Sequence, residues 1–150
     1  MGDQEALATT PVPTKDEQSM AFLAHFLQVF TGFIAPLVIY LIKRESRFVS
    51  FHAMQALLWQ IAYLVLFFML VFVIILVAMF ATFATHPPAP SPAHAPPPAF
   101  ILLFPLVWLV MMCGWVVNLV LGIVFGIKAN RGEWAAYPVV GRWAHRITGT

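Results

Sequence analysis

The chain has 150 residues, 61% of them apolar and 9% charged, with a formal net charge of +2. A globular domain carries roughly 25% charged residues, and residues 48–127 contain no Asp, Glu, Lys or Arg. This excludes a water-soluble domain, since a solvated surface needs charge while a charge at the centre of a bilayer costs about 2.5–3.5 kcal/mol.

The expected fold class is therefore all-α: a polytopic membrane protein with about three transmembrane helices and an interfacial C-terminal helix. A transmembrane β-barrel is excluded by continuous apolar runs where alternation is required. Nucleic acid is excluded as a partner, because the basic residues sit at the ends of apolar runs and form no patch with interleaved aromatics. A lone cysteine, Cys113, rules out an intrachain disulfide.

Residues 1–19 are polar, with Pro11 and Pro13, and read as a disordered tail ending in a helix cap at Asp16 or Ser19. They lack a basic-then-apolar leader, so no cleavable signal peptide is expected. The transmembrane domain is expected over 20–132, with spans at about 20–42, 53–84 and 100–127.

The first run, 20–42, is long enough at 1.5 Å per residue to cross ~30 Å of hydrocarbon. His25, Gln28, Thr31, Gly32 and Pro36 interrupt it, and a kink is expected near Gly32 to Pro36. Lys43, Arg44, Glu45 and Arg47 then form a charged hinge. Residues 61–81 are the clearest span, with the Tyr63 hydroxyl as their one polar side-chain group. Residues 86–98 hold seven prolines and read as an extended outer loop. The third run contains Asn118 as its strongly polar residue, and Pro105 is expected in its first turns, where a missing amide costs least. The tail, 133–150, places Val139, Val140, Trp143 and Ile147 on one face and Arg142 and Arg146 on the other, an interfacial pattern.

Three spans put Lys43, Arg44, Arg47, Lys128, Arg131, Arg142 and Arg146 on one side and Lys15 on the other. The positive-inside rule then places the N-terminus and the proline loop outside and the C-terminus in the cytoplasm. Trp59, Tyr63, Trp134 and Tyr137 are expected at the inner boundary as an aromatic belt. On this topology His25 lies near the outer surface and His52 near the inner one.

Several residues sit in patterns that carry chemistry. His25 with Gln28, and His52 with Gln55, are each three residues apart and share a helix face. They suit hydrogen bonds between helices; ligation of haem, pigment or quinone by His25 or His52 is the competing reading. No carboxylate or cysteine stands near to complete a metal set, and no cofactor is expected beyond lipid or quinone. Gly114, Asn118, Gly122 and Gly126 follow one another at intervals of four and make a smooth groove for a second helix, in the same chain or another. Lys43, Arg44 and Arg47, with the basic residues at the C-terminal end, are expected to set orientation or meet lipid headgroups.

The stretch "MAFLAHFLQVFTGFIAPLVIYLIKRESRFVSFHAMQALLWQI", together with "IKANRGEWAAYP", resembles a widespread bacterial membrane domain of unknown function. That domain is distantly related to the Tic channel component of the chloroplast inner-envelope protein-import machinery. The matching elements are His25, Pro36, Lys43-Arg44-Glu45, Phe51-His52-Ala53, Gln55-Ala56-Leu57, Lys128-Ala129-Asn130-Arg131-Gly132-Glu133 and Tyr137-Pro138. The resemblance covers roughly residues 18–140 and implies an all-helical protein of the bacterial inner membrane.

No G-x-S-x-G, H-E-x-x-H or phosphate-loop motif is present, and the spans hold no carboxylate. A non-enzymatic accessory protein is therefore expected, a small subunit or assembly factor packing against other subunits or a second copy. A Tic-like translocation or transport component is the alternative, its polar path supplied by His25, Gln28, His52, Gln55, Gln60 and Asn118 in an oligomer. A quinone- or pigment-binding subunit is the second.

Overall fold

A computed structural model describes residues 12–85 and 98–149. Among these the regular structure is all helical: α1 (Lys15–Thr31), α2 (Ile34–Ile42), α3 (Arg47–Thr85), α4 (Pro98–Asn130) and α5 (Gly141–Thr148). Most of the proline-rich stretch and of the N-terminal tail lies outside the described residues. The chain forms two compact units, one of Met1–Gln60 with Leu119–Thr150, the other of Ile61–Asn118.

Helix α1 starts earlier than its apolar residues do. Thr14, and neither Asp16 nor Ser19, is the N-cap. Its hydroxyl accepts from the Glu17 amide at 3.3 Å, and the Glu17 carboxylate accepts from the Thr14 amide at 2.8 Å. Each satisfies a backbone donor the helix cannot. Asp16 and Ser19 are used elsewhere: Asp16 pairs with Lys43 at 3.2 Å, and the Ser19 hydroxyl donates to the Lys15 carbonyl.

The expected single span over 20–42 is two helices. Gly32 adopts φ +63°, a conformation open to glycine at little steric cost, and the chain breaks there completely where a kink was expected. Pro36 then falls in the first turn of α2, where its missing amide costs nothing. Thr31 bridges the break: its hydroxyl donates to the Leu27 carbonyl and accepts from the Ala35 amide. Beyond α2 the chain has doubled back. The Ser46 hydroxyl donates to Glu17 at 2.6 Å, beside the Lys43–Asp16 ion pair. Both ends of the first apolar run therefore meet at one place.

Two segments, Arg47–Ala81 and Leu103–Asn130, are long and apolar enough to cross a membrane, against the three expected. At 39 residues α3 is about 58 Å long, nearly twice the hydrocarbon thickness of ~30 Å. Its side-chain environment changes along its length. From Phe48 to Leu57 every side chain is buried, whereas none is between Ile61 and Phe80. In α4 no described side chain from Leu103 to Val117 is buried either. Leu, Val and Phe exposed on all faces need an apolar surrounding. Pro98 takes the first position of α4, and Pro105 lies inside the helix, later than its expected place in the first turns.

The small residues of α4 are not equivalent. A methyl group at Gly122 would sit 2.8 Å from Val29 Cγ2 and 2.9 Å from the His25 carbonyl oxygen. At Gly126 it would sit 3.1 Å from the Phe22 ring. Both glycines thus lie against α1 of the same chain. At Gly114 the nearest atom, the Tyr63 hydroxyl, is 3.5 Å away, an ordinary contact. Asn118, the remaining member of the pattern, is buried. Gly122→Ala is expected to destabilise the protein by about 1–3 kcal/mol, because the backbone it strikes cannot move aside cheaply; Gly114→Ala is expected to be neutral. Denaturant unfolding of both variants in one detergent checks the contrast.

The Ser46 hydroxyl, with the Thr14 amide, holds the Glu17 carboxyl below its ordinary range. A depressed carboxylate stabilises the fold fully above its unfolded value and loses that contribution as pH falls through the folded one. Thermal stability of the detergent-solubilised protein should therefore decline on acidification below about 4.5. Glu17→Gln should remove that part of the decline.

Candidate functional site

The segment after α4 is extended and carries little regular structure, yet it is pinned at every second residue. Gly132, at φ +79°, turns the chain out of α4, and its amide and that of Glu133 donate back to the Ala129 and Lys128 carbonyls. In an extended chain, residues two apart face the same way. The backbone carbonyls of Glu133 and Ala135 and the amide of Tyr137 accordingly point to α3, where His52 and Gln55 stand one helical turn apart. The Glu133 carbonyl meets His52 Nε2 at 3.1 Å. The Gln55 amide nitrogen donates to the Ala135 carbonyl at 3.1 Å, and its oxygen accepts from the Tyr137 amide at 3.0 Å. Gln55 thus meets the segment as a neighbouring β-strand would, with one donor and one acceptor.

That docking carries the Tyr137 ring into the protein, where it is 1% exposed. Its hydroxyl lies 3.1 Å from His25 Nδ1 and accepts from the Gln28 amide at 3.0 Å. His25 Nε2 lies 3.1 Å from His52 Nδ1. The expectation that His25 and His52 occupy opposite membrane depths is corrected. The doubling back of α1 and α2 brings α1 beside the first turns of α3, so the two imidazoles touch. Phe125 packs on Tyr137 at 4.1 Å and Phe48 on His52 at 4.6 Å, closing the cluster.

The proton positions follow from one fixed end. A backbone carbonyl only accepts, so His52 must carry its proton on Nε2. No carboxylate stands in the cluster to compensate a charge; with both rings neutral, His52 Nδ1 is bare and accepts from His25 Nε2–H. His25 Nδ1 is then bare too and accepts from the Tyr137 hydroxyl. Burial pushes the Tyr137 phenol above its ordinary range, against the opposing hydrogen bond from Gln28, so the hydroxyl keeps the proton it donates. The chain runs one way, from the Gln28 amide through Tyr137, His25 and His52 to the Glu133 carbonyl. The Gln28 and Gln60 side-chain oxygens are buried without a partner among the described residues.

All four ring nitrogens are engaged with protein, so haem, pigment or quinone would bind either histidine only by displacing one of these partners. Among the described residues no group of three or more His, Cys, Asp or Glu is placed to hold a metal ion. The basic residues have different surroundings. Lys43 is paired with Asp16, Arg44 lies over the Tyr40 ring at 5.1 Å and Lys128 over the Phe125 ring at 5.5 Å. Arg47, Arg131, Arg142 and Arg146 are exposed.

The pairing of His25 with Gln28 and of His52 with Gln55 is legible in the sequence, whereas Tyr137 as a partner of His25 and Gln28 is not. No local pattern marks it: residues 133–137 read Glu-Trp-Ala-Ala-Tyr, without polar and apolar alternation. Tyr137→Phe removes one hydroxyl and leaves His25 Nδ1 and the Gln28 amide unpaired. Each unmet buried group costs about 1–3 kcal/mol, and an unfolding titration should show a loss of that order. Nitrogen-15 spectra of imidazole-labelled protein should show both histidines protonated on Nε2; a protonated Nδ1 on either at neutral pH contradicts the derived order.

No curated protein and no solved structure matches the chain. The residues that suggested a Tic-related family fall inside a match to a different family model, and this overturns that relationship. The match runs over residues 16–144, from the first turn of α1 into α5, and takes in His25, His52, Gln55 and Tyr137. The chain belongs to the MamF/MmsF family, the magnetosome magnetite crystal formation protein family.

Proposed function

We propose that this protein is a non-enzymatic accessory protein of the magnetosome membrane that supports magnetite crystal formation by packing against other membrane proteins there. The family match over residues 16–144 carries this reading. The chemistry of the chain agrees with it. The buried polar cluster binds the protein's own helices together and offers no unoccupied ligand atom on either imidazole. The outer surface of α3 and α4 is large and apolar, with Val65, Leu66, Phe68, Phe72, Phe104, Trp108 and Leu109 all at least half exposed. Lipid covers such a surface, and neighbouring membrane helices compete for it through packing.

The doubled-back first run supports a topology with both chain ends on one side. With two crossings, and the Lys43–Asp16 and Ser46–Glu17 contacts holding the start of α1 at the charged hinge, all eight Lys and Arg residues share that side. The positive-inside rule makes it the cytoplasmic one.

Deleting the gene in a magnetosome-forming bacterium should give crystals altered in size or shape by electron microscopy, restored by the wild-type gene. Unaltered crystals would refute the crystal-formation role. Phosphatase fusions at the N- and C-termini should both be inactive and fluorescent-protein fusions both bright. An active phosphatase at the N-terminus alone would restore a third crossing.

A further inference from the structure

The C-terminal helix carries a surface that the packing of the protein does not use. Val139, Trp143 and Ile147 follow one another at intervals of four and are 67%, 65% and 52% exposed. Val140, expected on the same face, is instead buried. The helix cannot turn to hide the stripe, because its other side is locked. Ala144 is fully buried in a core with Phe51, Met54 and Leu57, and the His145 ring lies 4.2 Å from that of Phe51. A methyl group at Gly141 would come within 2.6 Å of the Ala136 side chain, so the start of α5 lies directly against the preceding segment. Arg142 and Arg146 stand beside the stripe, exposed and without an ion pair among the described residues. Residues 134–150 contain no Asp or Glu.

We propose that α5 and Val139 form a lipid-surface anchor. Val139, Trp143 and Ile147 enter the headgroup region of the bilayer, and Arg142 and Arg146 take the phosphates of anionic lipids. The inference rests on the membrane reading above. Two signals are combined because neither suffices. Two arginines fall short of the four to eight basic residues that hold a segment to anionic lipid by charge alone. Three apolar side chains bury too little surface for a firm hold, whereas a basic amphipathic helix with an aromatic on its apolar face uses both. Bilayer is the chosen occupant for two reasons: the unpaired cations beside the stripe match anionic headgroups, and α5 follows within a dozen residues the end of an apolar helix long enough to cross the membrane.

The test uses the full-length protein with Cys113→Ser and Val139→Cys, labelled at position 139 with an environment-sensitive fluorophore. It is reconstituted in vesicles of phosphatidylcholine, with or without phosphatidylglycerol. In vesicles containing the anionic lipid, emission should shift to the blue and quenching by aqueous iodide should fall roughly threefold against detergent. Arg142→Glu with Arg146→Glu should cancel the gain that anionic lipid gives, a change of roughly tenfold in the embedded fraction, and leave neutral vesicles unaffected. Equal quenching in vesicles and in detergent overturns the anchor, as does a charge reversal without effect. Protection that persists in detergent and grows with protein concentration assigns the stripe to a second copy and also overturns it. Release of the whole protein by alkaline carbonate would refute the membrane reading itself; retention of the protein with a fully quenched label refutes only the anchor.

Discussion

The backbone of residues 133–137 is drawn into the protein without a helix or sheet to receive its polar groups, and two side chains meet that demand. Gln55 supplies a donor to Ala135 and an acceptor to Tyr137, and His52 supplies a donor to Glu133. A buried peptide group left unpaired costs about as much as a lost hydrogen bond, so the segment holds this register or leaves altogether. Once it is docked, Tyr137 has one place to go, between His25 and Gln28. The docking of five extended residues on α3 therefore also ties α1 into the structure, through a hydroxyl and two imidazoles.

This matters more in a bilayer than in water. Lipid tails are as apolar as leucine, so burying apolar side chains between helices gives little driving force there. Close backbone approach and internal hydrogen bonds carry the specificity instead. Both are present where α4 meets α1. Gly122 lets the His25 carbonyl come within the space a methyl group would fill, and the His25 ring ends in the Tyr137 bond. The same residue thus joins the packing and the polar network. The clasp of Asp16 and Glu17 on Lys43 and Ser46 closes the other end of the α1–α2 pair with charge-assisted bonds, where water can reach them.

Membership of a family named for magnetite crystal formation gives the protein a setting, and the arrangement of its residues bears on how it would act in that setting. Histidine, glutamine and tyrosine side chains that a sequence presents as ligand candidates are occupied with one another. Their order, from an amide donor to a carbonyl acceptor, leaves the imidazoles no spare lone pair for a guest. The surfaces left open are of another kind: the apolar flanks of α3 and α4, and the stripe on α5. These suit contact with lipid and with other membrane proteins, in keeping with an accessory role.

Composition alone determined the class of this protein. A helical chain without charge over residues 48–127 has no soluble solution, and the interval of the polar pairs places His25 with Gln28 and His52 with Gln55 on shared helix faces. The sequence also marked Gly32 and Pro36 as a point of weakness. It could not show that the weakness becomes a reversal, because a hydrophobic run reads the same whether it crosses a bilayer or doubles back within it. Only the clasp between residues 27 and 29 positions apart distinguishes the two. The partnership of Tyr137 with His25, 112 residues away, was likewise invisible. Helical and extended periods are local properties, whereas the meeting of His52 and Gln55 with an extended backbone 80 and 81 residues away is decided by the fold as a whole.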